Sequence, residues 1–477
     1  MTSISSINLV NGGLDVTSIV DNLVTAAQQP ITNLQTQTQS YQNKISAYQT
    51  LNTKMLAMQT SVESLLFNGE TAPLSMPSDF SSRFSTSIFA LRKATSSNES
   101  VVTATADKGM AAGNYSISIS NLAAADSYAS NNFSSDTNQT TKTGELVIQK
   151  GSDSSNAVHV TIGGTNNTLE GIKEAINETN AGFTASVVND GSSSPYRLVI
   201  TSNDSGTANA LTITNNLTGG TGSAVTFSET TPASDAKLTV NNIAITSSSN
   251  TVTDAVEGVT FNLNADSGSA VITVGRDVDS IVAGVKDFIS KYNDFKSYVA
   301  SQSTYDSTTN SAGLLSGDPT LQEAQNQITT ALTQSVGSNG SAFSVLSQVG
   351  ISLGSDGTLS LNESQLRNAL STNLNGTAQL FLADGTDADG NTTSLFPTLE
   401  NRLKTFTDSL DGPILNATDV LQKDITSVNN EIKQMQARLD IQQQDWIAEY
   451  TKADQALEQM NTLQASIISQ LSSLSTA

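Results

Sequence analysis

Few residues of this chain have the type and spacing that catalysis requires. The only histidine among its 477 residues, His159, lies in the strand-like segment NAVHVTIGG. A lone histidine in a strand is far more often a structural residue than a catalytic one. Acidic pairs are frequent, but nothing in their spacing identifies one pair as the acid and the base of a glycosidase. The sequence therefore indicates no catalytic residue.

The sequence does not indicate a metal or cofactor site either. The segment DGTDADGN, residues 384–391, resembles part of a calcium-binding loop, but Gly385 occupies the first ligand position and no glutamate follows at the twelfth. We interpret this segment as a polar loop. The chain has no cysteine, which excludes disulfides and thiolate metal sites. It also lacks a P-loop, a dinucleotide fingerprint and a nucleophile elbow, so we expect no cofactor and no enzymatic activity.

Composition and charge narrow the choice of partners. Lys and Arg number 22 and Asp and Glu number 44, so the net charge is −22. Nucleic acids and anionic membrane surfaces attract the opposite charge, and we expect neither as a partner. No apolar run approaches the ~20 residues that span a bilayer. The N-terminus MTSISSINLVNGGLD lacks the basic and apolar regions of a Sec-type signal peptide, so an exported chain would need another route.

Short strands dominate the chain between residues 95 and 275. The segment GNYSISISNL alternates Tyr115, Ile117 and Ile119 with polar residues, which is the period of a half-buried strand. Similar runs, bounded by Gly, Asn, Asp or Ser, repeat through the region. One amphipathic helix, residues 169–180, interrupts them. The pattern predicts a β-rich region that contains an α+β insert.

Helical periodicity returns at residue 277. The segment 277–302 places large apolar residues on one helix face, namely Ile281, Val285, Phe288, Ile289, Tyr292 and Phe295. Asp318, which is followed by a proline, predicts the start of a further helix. The segment LGSDGTLSLN predicts a hairpin around Asp356-Gly357. These signals predict a helical bundle with a small hairpin.

Both ends of the chain carry long apolar seams at helical spacing. In the C-terminal seam the steps alternate three and four, as in a coiled coil, except for two successive steps of four at Gln442, Trp446 and Tyr450. The N-terminal seam lies in residues 14–67, where the first basic residue is Lys44. The seam positions that we expect to serve assembly are Leu14, Ile19, Leu23, Ile31, Leu34, Ile425, Val428, Ile432, Met435, Leu439, Trp446, Tyr450, Leu457, Met460, Ile467 and Leu471.

Two arrangements can bury these seams. Each seam could pack inside one globular domain, or the two could pack against each other and then against further copies of the chain. The length of the C-terminal seam favours the second arrangement, because ordinary globular helices are shorter. The expected fold is α+β and multidomain: long terminal helices form a coiled-coil leg, a helical-bundle domain carries a small hairpin, and β-rich head domains are nested in the middle of the chain.

Several of these segments resemble the bacterial flagellar filament cap proteins, the flagellar hook-associated protein 2 family. The stretch GLDVTSIVDNLVTAAQQPITNL is similar to the family's Gly-Leu-Asp opening, its first helix and its Pro-Ile step. SSNTVTDAVEGVTFNL followed by RDVDSIVAGVKDFISKYNDF resembles the family's domain junction, and VGISLGSDGTLSLNESQLRNAL resembles a later segment. At the C-terminus, Tyr450 stands where the family usually has phenylalanine.

The resemblance implies a non-enzymatic cap at the distal tip of the flagellum, outside the cell. The protein would leave through the flagellar export apparatus without cleavage, with an export chaperone, and form a homo-oligomeric ring. Flagellin would fold and insert beneath the head domains, and the hook–filament junction proteins would be further partners. The expected domains are a leg of residues 1–45 and 411–477, a bundle of 46–94 and 276–410, a head domain of 95–130 and 235–275, and an outer head domain of 131–234.

Three other functions remain open from the sequence. The chain could be a hook–filament junction protein or a filament subunit of the same system, although its Gly-Leu-Asp opening and its 349–370 segment argue against both. It could instead be a secreted adhesin whose β-rich domains bind glycans. A glycosidase built on those domains would lack an identifiable acid–base pair.

Overall fold

The computed structural model describes residues 9–10, 13–68, 79–138, 140–306, 311–336, 342–383, 385–386 and 392–474. Two very long helices, α1 and α9, lie near the two ends of the described chain. The α-helices are α1 (Val16–Phe67), α2 (Phe80–Thr86), α3 (Leu169–Asn177), α4 (Val278–Ser303), α5 (Pro319–Thr333), α6 (Glu363–Thr372), α7 (Leu374–Leu382), α8 (Phe396–Thr407) and α9 (Pro413–Leu474).

The strands are concentrated between residues 92 and 276. They are β1 (Leu9–Val10), β2 (Gly13–Leu14), β3 (Arg92–Ser96), β4 (Val102–Ala106), β5 (Gly113–Asn121), β6 (Ala125–Ser130), β7 (Thr143–Lys150), β8 (Ala157–Ile162), β9 (Phe183–Asn189), β10 (Tyr196–Ser205), β11 (Leu211–Gly219), β12 (Phe227–Thr231), β13 (Ala236–Val240), β14 (Ile243–Ser247), β15 (Thr251–Val256), β16 (Val259–Leu263), β17 (Gly268–Arg276), β18 (Tyr305–Asp306), β19 (Ser311–Ala312), β20 (Ile351–Leu353), β21 (Leu359–Leu361), β22 (Gly385–Thr386) and β23 (Thr392–Thr393).

The chain divides into two compact units. The helical unit combines Met1–Phe84 with Val282–Ala477, and the β-rich unit is the continuous segment Ser85–Ile281. The predicted fold class is confirmed: long terminal helices, a helical bundle with a hairpin, and β-rich domains in the middle of the chain. The finer division into four domains at the expected residues stays a prediction.

The core of the helical unit is built on aromatic residues of α4, α7 and α8. Phe288 packs edge-on against Phe396, and Phe381 stacks on Phe396, with 5.0 Å between ring centroids in each pair. All six apolar residues expected on one face of α4 are buried. Asp318 caps α5 as expected, since its Oδ1 accepts a hydrogen bond from the Leu321 amide at 3.0 Å. The predicted hairpin is formed by β20 and β21.

The first core of the β-rich unit, called here the inner β core, lies between two antiparallel sheets. Their strand orders are β14-β13-β5-β17-β3 and β15-β16-β4. The alternation of apolar and polar residues in β5 determines which face of the strand points into the core: Ile117 and Ile119 are buried, while the serines next to them in sequence are exposed. Phe261 of β16 is completely buried in this core.

The second core, called here the outer β core, is formed by residues inserted between β5 and β13. Two antiparallel sheets with the orders β12-β6-β10-β9 and β11-β7-β8 enclose it together with α3. Thr168 caps α3 by accepting a hydrogen bond from the Gly171 amide at 3.1 Å, and Leu169, Ile172 and Ile176 of this helix are buried. The amphipathic helix expected in this insert is thus confirmed.

Candidate assembly surface

The N-terminal helix α1 begins where the sequence supplies a cap. Asp15 stands before the first turn, and its Oδ1 accepts a hydrogen bond from the Ser18 amide at 3.0 Å. The helix then runs for 52 residues and contains a single proline, Pro30, which is exposed. Proline removes one hydrogen bond from the helix ladder. The long helix is therefore continuous but weakened at one point.

The helices α1 and α9 pack side by side in an antiparallel pair. The Leu14 amide, just before α1, donates a hydrogen bond to Oδ1 of Asp454 at 2.7 Å. Further along, the hydroxyl of Thr407, the last residue of α8 and separated from α9 by five residues, donates to Oε1 of Gln59 at 2.9 Å. Since residue numbers rise along α1 while they fall along its partner, the two helices run in opposite directions. We call the paired stretch, residues 16–45 and 419–457, the terminal helix pair.

A narrow apolar cluster holds the terminal helix pair together. Ile31 of α1 packs with Val428, Ile432 and Leu439 of α9, and these four side chains remain between 6% and 9% exposed. The half-buried side chains around them are Val24, Ala27, Leu34, Tyr41, Met435 and Trp446. The two terminal seams therefore pack against each other within one chain. Trp446, the only tryptophan, already contacts this cluster in a single copy.

The sixteen seam residues predicted to serve assembly fall into three classes. In α1, Ile31 is buried and the others are half-buried, as is Leu14 just before the helix. In the paired part of α9, Ile425, Val428, Ile432 and Leu439 are buried, and the half-buried positions are Met435, Trp446, Tyr450 and Leu457. The last three positions, Met460, Ile467 and Leu471, are exposed to 65%, 48% and 62%.

The seam of α9 departs from the predicted register beyond Leu439. Gln442, expected on the seam, is exposed, and Gln443 is half-buried in its place. From Ile432 onward the inward positions follow steps of three, four and four, an eleven-residue repeat, which is typical of a right-handed supercoil rather than the left-handed supercoil of a heptad repeat. The apolar pattern alone did not reveal this shift, because both candidate positions carry glutamine.

About four turns near the end of α9 form an exposed surface that the paired part does not share. Every side chain from Glu458 to Ser472 is exposed, and we call this stretch the exposed end of α9. Its apolar residues lie mainly on one helix face and are exposed to between 48% and 65%: Met460, Leu463, Ile467, Ile468 and Leu471. Leu463 and Ile468 are additions to the predicted seam, since a strict heptad pattern passes over them.

Charge is distributed unequally over the terminal helices. Between Asp21 and Lys44, the outer surface of α1 carries no charged residue and consists mostly of Gln, Thr and Asn. The exposed end of α9 carries one charged residue, Glu458. Contacts made through these surfaces would not suffer repulsion between like charges in a protein of net charge −22.

Two family models match the chain. The model described as "Flagellar hook-associated protein 2 N-terminus" matches residues 12–126, and that described as "Flagellar hook-associated protein 2 C-terminus" matches residues 233–462. The flagellar hook-associated protein 2 of Escherichia coli K12 is 32% identical over 97% of each chain. The B-type flagellar hook-associated protein 2 of Pseudomonas aeruginosa is 26% identical over 98% of each chain.

The chain belongs to the flagellar hook-associated protein 2 family. A crystal structure of the D1-D2-D3 domains of the flagellar cap protein FliD from Escherichia coli aligns with 79% of this chain and 99% of its own, at 31% identity and a TM-score of 0.58. The predicted function, a cap of the flagellar filament, is confirmed at the level of this family. No finding supports the alternatives of a junction protein, a filament subunit or an adhesin.

The structure of this hook-associated protein 2 homologue also places the residues first considered for chemistry. His159 is exposed on β8, and its Nδ1 lies 3.1 Å from Oε1 of Glu145 on the neighbouring strand β7. Most of the calcium-like segment 384–391 lies outside the described residues. Among the residues that the structure does describe, no group of three His, Cys, Asp or Glu side chains could hold a metal ion. None of the described helices is long and apolar enough to cross a membrane.

Proposed function

We propose that this chain caps the distal tip of the flagellar filament as a ring of identical copies, outside the cell. In this proposal, the terminal helix pair is a leg that extends into the filament, and the exposed end of α9 docks against neighbouring copies. Flagellin folds and inserts beneath the β-rich units. The family membership supports the cap, and the exposed apolar face between Met460 and Leu471 supports the docking role.

The energetics favour docking of this face over exposure to water. A fully buried Leu, Ile or Met side chain contributes roughly 1.5–3 kcal/mol relative to an exposed one. Five such residues lie within twelve positions of one helix. Ordering the helix and its side chains offsets part of this gain. Because the surface carries almost no charge, packing would desolvate few ionised groups.

We expect the cap to act without covalent chemistry. It would confine an unfolded subunit and offer it a binding site, and it would contact the hook–filament junction proteins and flagellin. The flagellar export apparatus and an export chaperone would deliver it without cleavage of a signal peptide. Marginal terminal helices suit this route, because a chain exported in unfolded form can order them on assembly.

The docking role can be tested by making the exposed face polar. The variant combines Leu463→Gln, Ile467→Gln and Leu471→Gln, three exposed positions whose loss removes no buried contact. The matched control combines Thr462→Gln, Ser466→Gln and Ser469→Gln on the other side of the same helix. Each is expressed in cells that lack their own cap gene.

The face variant should secrete flagellin into the medium and grow few filaments, while the control should restore filaments of normal length. Filament length under the electron microscope and flagellin in the culture supernatant are the two measurements. Normal filaments with the face variant would contradict the docking role of α9. A purified face variant that keeps its Trp446 emission would show that the helix pair itself is intact.

A further inference from the structure

The chain passes between the inner and the outer β core twice. The outward segment lies between Asn121 at the end of β5 and Ala125 at the start of β6, and the return segment lies between Thr231 of β12 and Ala236 of β13. Such connections are usually mobile, because few contacts cross them. Here the two segments are paired with each other, and we call them together the crossing.

The backbone of the crossing forms its own hydrogen bonds. The Ala124 amide donates to the Ser234 carbonyl at 2.9 Å, and the Ser234 amide donates back to the Ala124 carbonyl at 3.2 Å. The Gly206 amide, from the loop between β10 and β11, donates to the same Ala124 carbonyl at 3.1 Å. Three separate stretches of chain therefore meet at one point.

Two side chains hold the crossing from opposite sides. We call residues 92–121 and 236–276, which surround the inner β core, the inner β domain, and residues 125–231, which surround the outer β core, the outer β domain. From the inner β domain, Asn250 holds both backbone groups of Ala123: its Oδ1 accepts from the amide at 2.8 Å, and its Nδ2 donates to the carbonyl at 2.9 Å. From the return segment, Asp235 accepts hydrogen bonds from the Thr207 amide and the Thr207 hydroxyl, each at 2.8 Å. Thr207 belongs to the outer β domain, so Asp235 ties that domain to the crossing.

Gly206 lies too close to Ser248 to carry a side chain. Gly206 has φ +97° and ψ 151°, a backbone conformation essentially restricted to glycine. A Cβ atom at this position would lie 2.6 Å from the Cβ of Ser248 in the inner β domain. The carbonyl of Ser248 also accepts a hydrogen bond from the Ser205 hydroxyl at 2.7 Å. The two β domains are thus in direct contact beside the crossing.

We infer that the crossing is a lock that holds the inner and outer β cores at one fixed angle, with Asp235 and Asn250 as its positioning residues. The lock converts two β domains into a single rigid block before any assembly takes place. It goes beyond the proposed cap function and does not depend on it, since it concerns the angle within one copy. A fixed angle would give every subunit of a ring the same outline.

The lock is tested by measuring the distance between the two β domains in the full chain. Because the chain has no cysteine, Thr273→Cys on β17 and Ser186→Cys on β9 place two spin labels at exposed positions, one in each domain. The labelled chain is diluted into unlabelled protein, so that double electron–electron resonance reports distances within one copy. The parent should give a single narrow distance peak.

Four substitutions in the labelled parent discriminate the role of the two positioning residues. Asp235→Ala should lose the narrow peak, whereas Asp235→Asn should keep it, because an amide can accept from the Thr207 amide and donate to the Thr207 hydroxyl. Asn250→Asp should lose the peak, because a carboxylate oxygen then faces the Ala123 carbonyl. Asn264→Asp is its matched control: it removes a donation to the Glu99 carbonyl that lies wholly within the inner β domain.

A broad distribution in the parent would overturn the lock, as would narrow peaks in both Asp235→Ala and Asn250→Asp. Circular dichroism of each variant checks that the β domains remain folded. A second measurement needs no substitution: the amide protons of Ala123 and Thr207 should exchange slowly in the unmodified full chain, because both donate to side chains of the lock. Rapid exchange of both amides would also overturn it.

Discussion

The β cores and the terminal helix pair bury their apolar residues to different degrees. In the inner β core, Phe261 and Ile272 are 0% exposed, and in the outer core so are Leu146 and Leu198. The four buried residues of the cluster between α1 and α9, namely Ile31, Val428, Ile432 and Leu439, keep between 6% and 9% of their surface in contact with water. The β cores are closed within one copy, whereas the helix pair is a narrow seam that continues into an exposed face. The difference indicates that the β cores are complete once a single copy folds, whereas the helix pair buries its remaining apolar surface only on assembly.

The largest expected effect of a single substitution lies in the inner β core. Phe261→Ala would leave a cavity where a completely buried ring contacts its neighbours, including Tyr115 at a centroid distance of 6.5 Å. Substitutions of this kind cost about 3–5 kcal/mol. Loss of the β signal in circular dichroism should therefore occur at a lower denaturant concentration.

The Trp446 emission provides the control for this substitution. It reports on the helix pair, so its own transition should stay unchanged in Phe261→Ala. A simultaneous shift of both transitions would contradict the independence of the two regions.

A smaller effect is expected in the seam of the helix pair. Ile432→Ala removes a side chain that is 8% exposed and contacts a cluster of only a few residues. The expected loss is about 2 kcal/mol, at the low end of the range for Ile→Ala, because two packed helices can close partly over the gap. The Trp446 transition should move to lower denaturant and the β signal should not. If the loss equals that of Phe261→Ala, the seam is as tightly packed as the β core.

A single substitution should be able to stabilise the helix pair, because this region is not optimised for stability within one copy. Pro30→Ala restores the missing hydrogen bond in α1 at an exposed position. Inside a helix, proline is less favourable than alanine by about 3 kcal/mol. The substitution also lowers the free energy of unfolding by about 0.4–1 kcal/mol, because the unfolded chain gains conformational entropy when proline is removed. A net gain of about 2 kcal/mol should raise the Trp446 transition. A lower transition would show that the packing of α1 requires the proline.

The smallest expected effect concerns acid resistance in the outer β domain. Hydrogen bonds from Ser192, assisted by Arg197 and Asn132, lower the pKa of the Asp190 carboxyl to about 2. A depressed pKa contributes stability above the ordinary carboxyl pKa, and this contribution is lost as the pH falls through about 2. Nuclear magnetic resonance titration should find Asp190 still ionised at pH values where ordinary aspartates are protonated. Titration near the ordinary value would show that these hydrogen bonds are not maintained in solution.

Local sequence patterns identified most elements of this fold. The alternation around Ile117 predicts β5, the cap at Asp318 predicts α5, and the Asp356-Gly357 pair predicts the hairpin of β20 and β21. Each of these signals consists of residues that are close in sequence, so it can be recognised without knowing which distant residues the element contacts. The resemblance to the hook-associated protein 2 family extends this reading to the order of the domains.

Features that depend on distant residues could not be predicted in this way. The side chain of Asn250 forms hydrogen bonds with the backbone of Ala123, which lies 127 residues away in sequence, and no short sequence pattern connects the two residues. The heptad pattern of α9 also continues past the point at which α1 begins, because periodicity records which residues face a partner and not which partner is present. The same limit left Gln442 and Gln443 indistinguishable.

The most direct test of the account is hydrogen–deuterium exchange along α9 in the unmodified protein. Amides between residues 425 and 446, which pack against α1, should be protected in the dilute monomer, while those between 459 and 472 should exchange rapidly. On assembly at the filament tip, the second group should become protected, because the exposed apolar face is then covered. Protection of residues 459–472 in a proven monomer, or no change on assembly, would contradict the role of this helix end in capping.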